Sequence, residues 1–275
     1  MKKFMLSLAL FAASAQAADV QIVNIGAATS PTALYAQAYS KNLAMGNRFV
    51  PAKSCRDAMA IKGDAVFLVA NDIYLQARRL GQECSPPLSA KNVLAISDGY
   101  FEVCRKRGST KTLRDPGVVV GRASVHPIRE WTADFNQRNR TTVKGVGFSG
   151  SKSVLAAVLN GDADWGMIAR EIAQPAVKEG TIECPYNTEA ASPRSLHREF
   201  AMVVDEYVLK YMLVARTTDA KTLAELHRTA QDPRFREYLE TSLHSNIVTE
   251  PTQDHVNQFL KSVTDLNRLL DSQRP

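Results

Sequence analysis

Apolar positions along this chain keep switching between two rhythms. Residues 20–26, VQIVNIG, form a run rich in β-branched residues and closed by glycine, the pattern of a buried strand. Ser30-Pro31 then offers a helix cap with proline at the first helical position, and Leu34, Ala38, Leu43 and Ala44 carry an apolar stripe as far as Gly46. Phe49 and Val50 predict a second strand, 57–61 a short helix stopped by Gly63, and 65–70 (AVFLVA) a third strand. Asn71-Asp72 opens the next helix toward Gly81. Such alternation predicts parallel βαβ units.

The same alternation resumes further on. Strands are expected at 93–97 and 100–105, with Asp98-Gly99 as the turn between them, followed by a brief helical stretch at 112–115 and a buried strand at 118–121. A helix begins at His126-Pro127-Ile128 and runs through Phe135, a strand covers 143–148, a helix 153–159, and a strand 164–169 (DWGMIA). From Tyr211 the tail reads as a strand and then helices near 220–230, 233–243 and 252–270. No internal repeat or low-complexity linker is visible. Two αβ blocks followed by a helical tail predict lobe 1 from 18–103 together with 194–275, and lobe 2 from 104–193. A chain that leaves one lobe, builds a second and returns makes a two-crossover hinge.

The extreme N-terminus breaks the rhythm. Met1-Lys2-Lys3, an apolar stretch from Phe4 to Ala13, and Ala15-Gln16-Ala17 are the three parts of a secretory signal peptide, residues 1–17, cleaved after Ala17. The stretch is too short for a membrane anchor, and no cysteine follows it to carry a lipid. Cleavage removes Lys2 and Lys3 and takes the net charge from +6 to +4. That mild basic excess contains no basic run, so nucleic acid is not an expected partner, while an anionic small ligand is compatible with it. The composition, 45% hydrophobic and 23% charged, excludes disorder and a disulfide-dense miniprotein.

Export places Cys55, Cys84, Cys104 and Cys184 in an oxidising space. Four cysteines allow three pairings. Cys55 and Cys84 bracket one compact stretch, which favours Cys55–Cys84 with Cys104–Cys184, and buried free thiols are the alternative. The absence of C-x-x-C disfavours a redox motif and a zinc ribbon.

Candidate chemistry concentrates in 142–169, TVKGVGFSGSKSVLAAVLNGDADWGMIA. A strand runs into a Gly/Ser loop and a helix starts on Ser151 or Ser153. Its free N–H groups, the hydroxyls of Ser149 and Ser151, and the adjacent Lys152 make a pocket for a carboxylate or phosphate. A tight turn with a capping serine would look the same. The loop 26–30 holds the equivalent place after the first strand, with Thr29 and Ser30 at a helix start and plain capping as the alternative. Ligands of open α/β sheets bind beyond the C-terminal strand ends, so the two loops would face each other across a cleft, with Asn71 on the same edge. Gly145-x-Gly147-x-x-Gly150 matches the dinucleotide fingerprint in form only, because Asp164 lies at the start of the following strand and not at its end, with Glu171 just past it. The loop is no nucleophile elbow, since position 151 is Ser, and no zinc, P-loop or EF-hand motif occurs.

GFSGSKSVLAAVLNGDADWGMIA and the tail TLAELHRTAQDPRFREYLETS with VTEPTQDHVNQFLKSVTDLNRLL resemble the extracytoplasmic solute-binding receptors of tripartite tricarboxylate transporters. The closest part is Asp232-Pro233-Arg234-Phe235, then Pro251 and a last long helix. The resemblance covers about the last two-thirds of the chain plus the first strand and loop. It implies an α/β, two-lobed type 2 periplasmic-binding fold, with a hinge, C-terminal helices on the first lobe, and a small carboxylate held by loop amides and hydroxyls. Carried over by position, Thr29 and Ser30 fall in the first binding loop, Ser149, Gly150 and Ser151 in the second, and Asp164 matches an acidic position before the following strand.

The expectation is therefore a periplasmic, monomeric receptor that captures a small organic anion, a carboxylate by preference, and delivers it to membrane transporter subunits. No catalytic residue, metal or cofactor is expected. The alternatives are an exported hydrolase with an unrecognised serine site, an ABC-type solute-binding protein for another ligand, and a scaffold that kept the fold without the site.

Overall fold

The computed structural model describes residues 19–25, 30–82, 84, 86–123 and 128–272. The expected leader at 1–17, Thr29, and the start of the helix expected from His126 lie outside the described residues. Strands β1 (Val20–Ile25), β2 (Asn47–Ala52) and β3 (Ala65–Ala70) pair in parallel around β1. They are joined by helices α1 (Pro31–Asn42) and α2 (Cys55–Ala60), while α3 (Asn71–Arg79) follows β3. β1 and β3 are buried at every position, which is why β3 is an unbroken apolar run and β1 is apolar except at the buried Gln21 and Asn24. Strand β4 (Val93–Gly99) belongs to the same sheet.

The second sheet is built from β5 (Phe101–Lys106), β6 (Val119–Ala123), β7 (Lys144–Phe148), β8 (Trp165–Ala169) and β9 (Ile182–Asn187), in the order β7-β6-β8-β5-β9. Helices α4 (Trp131–Asn139), α5 (Ser151–Asn160) and α6 (Arg170–Lys178) connect them. The chain then returns through β10 (Leu209–Arg216), α7 (Ala220–Gln231), α8 (Pro233–Ser242), β11 (Ile247–Val248) and α9 (Gln253–Ser272). The first sheet thus has six strands in the order β11-β4-β10-β3-β1-β2. As expected, the C-terminal helices pack on it: α9 lies against α3, and Val256, Phe259, Val263 and Leu266 join Val23, Phe67, Met212 and Val214 in one core.

Three sequence expectations are corrected. Both sheets are mixed: β10 runs antiparallel between β3 and β4, and β5 runs antiparallel to β8 and β9. β4 passes to β5 through Tyr100 alone, and the two strands belong to different sheets. Asp98-Gly99 is consequently not a hairpin turn. It is the end of β4, and Gly99 is required because a Cβ there would lie 2.5 Å from the ring of Tyr211. Residues 112–115 form a turn in which the Thr112 amide and hydroxyl both donate to Asp115 at 2.9 Å. α6 and β9 escape a periodicity reading because each contains a proline, Pro175 and Pro185. Pro185 is tolerated because β9 is an edge strand.

The two sheets also fix where the chain crosses. The expected boundary at 103/104 falls inside β5. The segment expected to return at 194 still packs on the second sheet: Arg194 reaches Glu102, Phe200 meets Phe135 and Tyr186, and the Tyr207 hydroxyl donates to Asp134 at 2.7 Å. Residues 204–207 already touch α9, and the Val208 carbonyl accepts from the Asn71 amide. Cys55 pairs with Cys84, and Cys104 with Cys184.

Candidate functional site

A cleft of about 530 Å³ lies between the two sheets, at the C-terminal ends of their parallel strands. One wall is the start of α1, with Ser30, Pro31 and Thr32, beside Lys53, Ser54 and Cys55 at the start of α2. The opposite wall is Ser149 to Ser153 at the start of α5. Phe101, Ile172, Leu209 and Tyr211 supply apolar surface between them. Ser30, Ser149, Gly150 and Ser151 thus line one cleft, at the strand ends where open α/β sheets place their ligands.

The two walls use their hydroxyls differently. The Ser30 hydroxyl accepts from the Ala33 amide at 3.3 Å and shares a hydrogen with the Thr32 hydroxyl at 2.7 Å, so it caps α1. Helix α5 has Gly150 at its cap and no side-chain cap bond. The amides of Ser151 and Lys152 precede any acceptor within the helix, and together with the helix dipole they make this end the stronger seat for an anion. Ser149 bonds Ser153 at 2.9 Å across the mouth. Ser151 is buried and accepts from the Ala169 amide at 3.0 Å, which leaves its own hydrogen to donate. Gly150 is extended, with φ 169°, and a Cβ there would meet nothing within 4 Å. Its smoothness keeps the cleft open and is not needed for the turn.

Two predicted residues lie elsewhere. Asn71 is fully buried and faces away from the cleft: its amide donates to Val208 and to Ser262 at 3.2 Å, and its carbonyl accepts from Asp72 and Lys210. It ties α3 to β10 and α9. Asp164 precedes β8 and so sits at the opposite end of the sheet, accepting from the Val119 amide at 2.9 Å and pairing with Lys111 at 2.6 Å. The family resemblance puts it in the binding set, but its place before β8 is the far end of that strand from the cleft.

The sequence reading missed Lys53, Ser54, Asp72 and Tyr211. Ser54 had a signal, since Ser-x-x-Asp is a helix-start pattern, and its hydroxyl accepts from the Asp57 amide at 3.2 Å. Tyr211 had none, because only the insertion of β10 into the first sheet brings it to the cleft. With Lys53 and Lys152 against Asp72, the charged lining is net positive. Burial pushes the Tyr211 phenol well above its ordinary range, reinforced by the nearby Glu171, Tyr35 and Asp72. Burial likewise pushes the Glu171 carboxyl up to about 7, against the lowering pull of its own backbone hydrogen bond and of Arg170. Ser195 contacts His197 at 2.7 Å, but within one turn outside the cleft and with the serine 1% exposed. No group of His, Cys, Asp and Glu suited to hold a metal occurs among the described residues.

No family model matches the chain, and no curated protein matches it in sequence. Among solved structures it is similar to MatC from Rhodopseudomonas palustris with bound malate, at 16% identity and TM-score 0.64 over 92% of this chain and 98% of that one. It is similar to an R. palustris protein with adipate, at 12% identity and TM-score 0.69 over 92% and 96%. A TctC solute-binding protein from Polaromonas matches at 11% identity and TM-score 0.57, over 92% of this chain and 98% of that one. These likenesses establish the fold: this is a two-lobed periplasmic-binding architecture, spanning nearly the full length of those proteins.

Proposed function

We propose that the chain is an exported solute receptor of the tripartite tricarboxylate type, which closes two lobes on a small carboxylate. It would act in the periplasm after cleavage following Ala17, and pass the anion to membrane transporter subunits. The observation that carries this reading is the pairing of the uncapped start of α5 with the hydroxyl-lined start of α1 across one cleft. Two such ends, with Lys53 and Lys152 at the rim, suit a ligand whose negative charge touches both walls, and a ligand that touches both walls stabilises the closed state. The malate and adipate held by proteins of this fold support a carboxylate. The reading assigns no catalysis.

A thermal-shift panel on the chain from Ala18 tests it, with mono-, di- and tricarboxylates, phosphate and amino acids. A ligand present at about 100 times its dissociation constant adds about 2.7 kcal/mol to the native state, so one carboxylate class is expected to raise the melting temperature by several degrees. A flat panel, with no small molecule retained in native mass spectrometry, would sink the receptor reading.

A further inference from the structure

Behind the cleft lining lies a buried carboxylic acid that the receptor reading leaves unused. Glu171 is the second residue of α6, directly after β8. The residues around it line the cleft: Ile172 on its own helix, Phe101 opposite Ala169, and Tyr211 from the other lobe. Its side chain is buried, with Oε1 lacking a hydrogen-bond partner. Arg170, the adjacent cation, is committed to Glu102 and Glu189, both at 2.8 Å, and its guanidinium lies over the Tyr100 ring. On the first lobe, Tyr35 on α1 and Tyr211 on β10 form a ring pair with centres 5.0 Å apart. Both feel the charge of Glu171, and Asp98 and Asp72 add further negative charge to that side. His244, also from the first lobe, faces Arg170, Lys178 and Glu102.

We propose that closing the two lobes over the cleft takes up one proton, which Glu171 holds. The proposal deepens the receptor reading and takes its ligand from it. A neutral carboxyl can stay dry beside two phenols, whereas an ionised one with its nearest cation already engaged is driven toward water. Opening at the crossings near Tyr100 and Val208 is the motion that lets water in. An anion in the cleft brings a second negative charge and favours the protonated form further, so capture and proton uptake reinforce each other. Glu171 is thus a positioning residue that acts from behind the cleft lining.

The test compares the wild type with Glu171→Gln from about pH 6 to 8.5, using malate as the probe. Titration calorimetry in two buffers of different ionisation enthalpy counts protons on binding, and small-angle scattering of the ligand-free protein reads the opening. Wild type is expected to take up as much as one proton, to lose malate affinity by at most about tenfold per pH unit above pH 7, and to expand over that range. The Gln variant is expected to stay compact and bind independently of pH. Equal pH slopes in the two proteins, or scattering that does not change with pH in wild type, would overturn the proposal. Absence of malate binding at every pH counts against malate as the ligand and not against the proton proposal, which the scattering curves then decide alone. Should the Gln variant not fold, a wild-type count of zero protons, or unchanged wild-type scattering, still overturns it.

Discussion

Gly150 and Glu171 show how single residues set the properties of this cleft. Gly150 caps α5 in an extended conformation that any residue can adopt, with open space where a side chain would go. Gly150→Val is therefore expected to abolish a carboxylate-induced thermal shift while changing unliganded stability by about 1 kcal/mol, the usual scale of a cap substitution. Ser151→Ala is a poorer probe, because it strips the buried Ala169 amide of its partner, a loss of about 1–3 kcal/mol. For Glu171 the sign is the reverse of an ordinary paired acid. Its folded value, near 7, lies above the ordinary 4.5, so the folded state holds the proton more tightly. Stability from this group is full below about pH 4.5 and is lost as pH rises through 7. Urea unfolding at pH 5 and 7.5 is expected to show wild type losing about 2 kcal/mol more than Glu171→Gln across that interval. An identical loss in both proteins would show that Glu171 is not the group responsible.

At the scale of elements, the two disulfides have different tasks. Cys55–Cys84 joins the start of α2, on the cleft wall, to the stretch after α3, across a sequence separation of 29. Cys104–Cys184 joins β5 to β9 across a separation of 80, and anchors an edge strand that contains Pro185. In the chain-entropy model the longer loop contributes about 4.5 kcal/mol and the shorter about 3.5. Replacing each pair by alanine is expected to lower the denaturation midpoint more for Cys104–Cys184, whereas only removal of Cys55–Cys84 should weaken carboxylate binding. Much of the element pattern was legible beforehand. β1 and β3 are predominantly apolar because both of their faces are covered, and α1, α7 and α8 begin at caps that can be read by eye. The missed α6 and β9 carry prolines that local rules treat as breakers, and only their packing shows that they are tolerated.

At the scale of the whole molecule, two sheets are connected by crossings as short as Tyr100, with a cleft on one side of them. If the receptor reading holds, adding malate or adipate is expected to reduce the radius of gyration in solution, and Gly150→Val should remove that change. A radius unaffected by any carboxylate that binds would argue for a rigid cleft. The sequence by itself determined the αβ alternation, the two facing loops and the candidate seat at Ser149, Gly150 and Ser151, because these depend on periodicity, caps and the rule that ligands sit beyond strand ends. Tertiary structure alone decided strand direction. β5 pairs antiparallel with β8 and β9, and the return of β10 between β3 and β4 carries Tyr211 into the cleft while Asn71 turns to its other side. It also removed Asp164, whose place at the beginning of β8 puts it a whole strand away from a site formed where that strand ends. Strand direction is a property of pairing between segments distant in sequence, and no local pattern of apolar and polar residues encodes it.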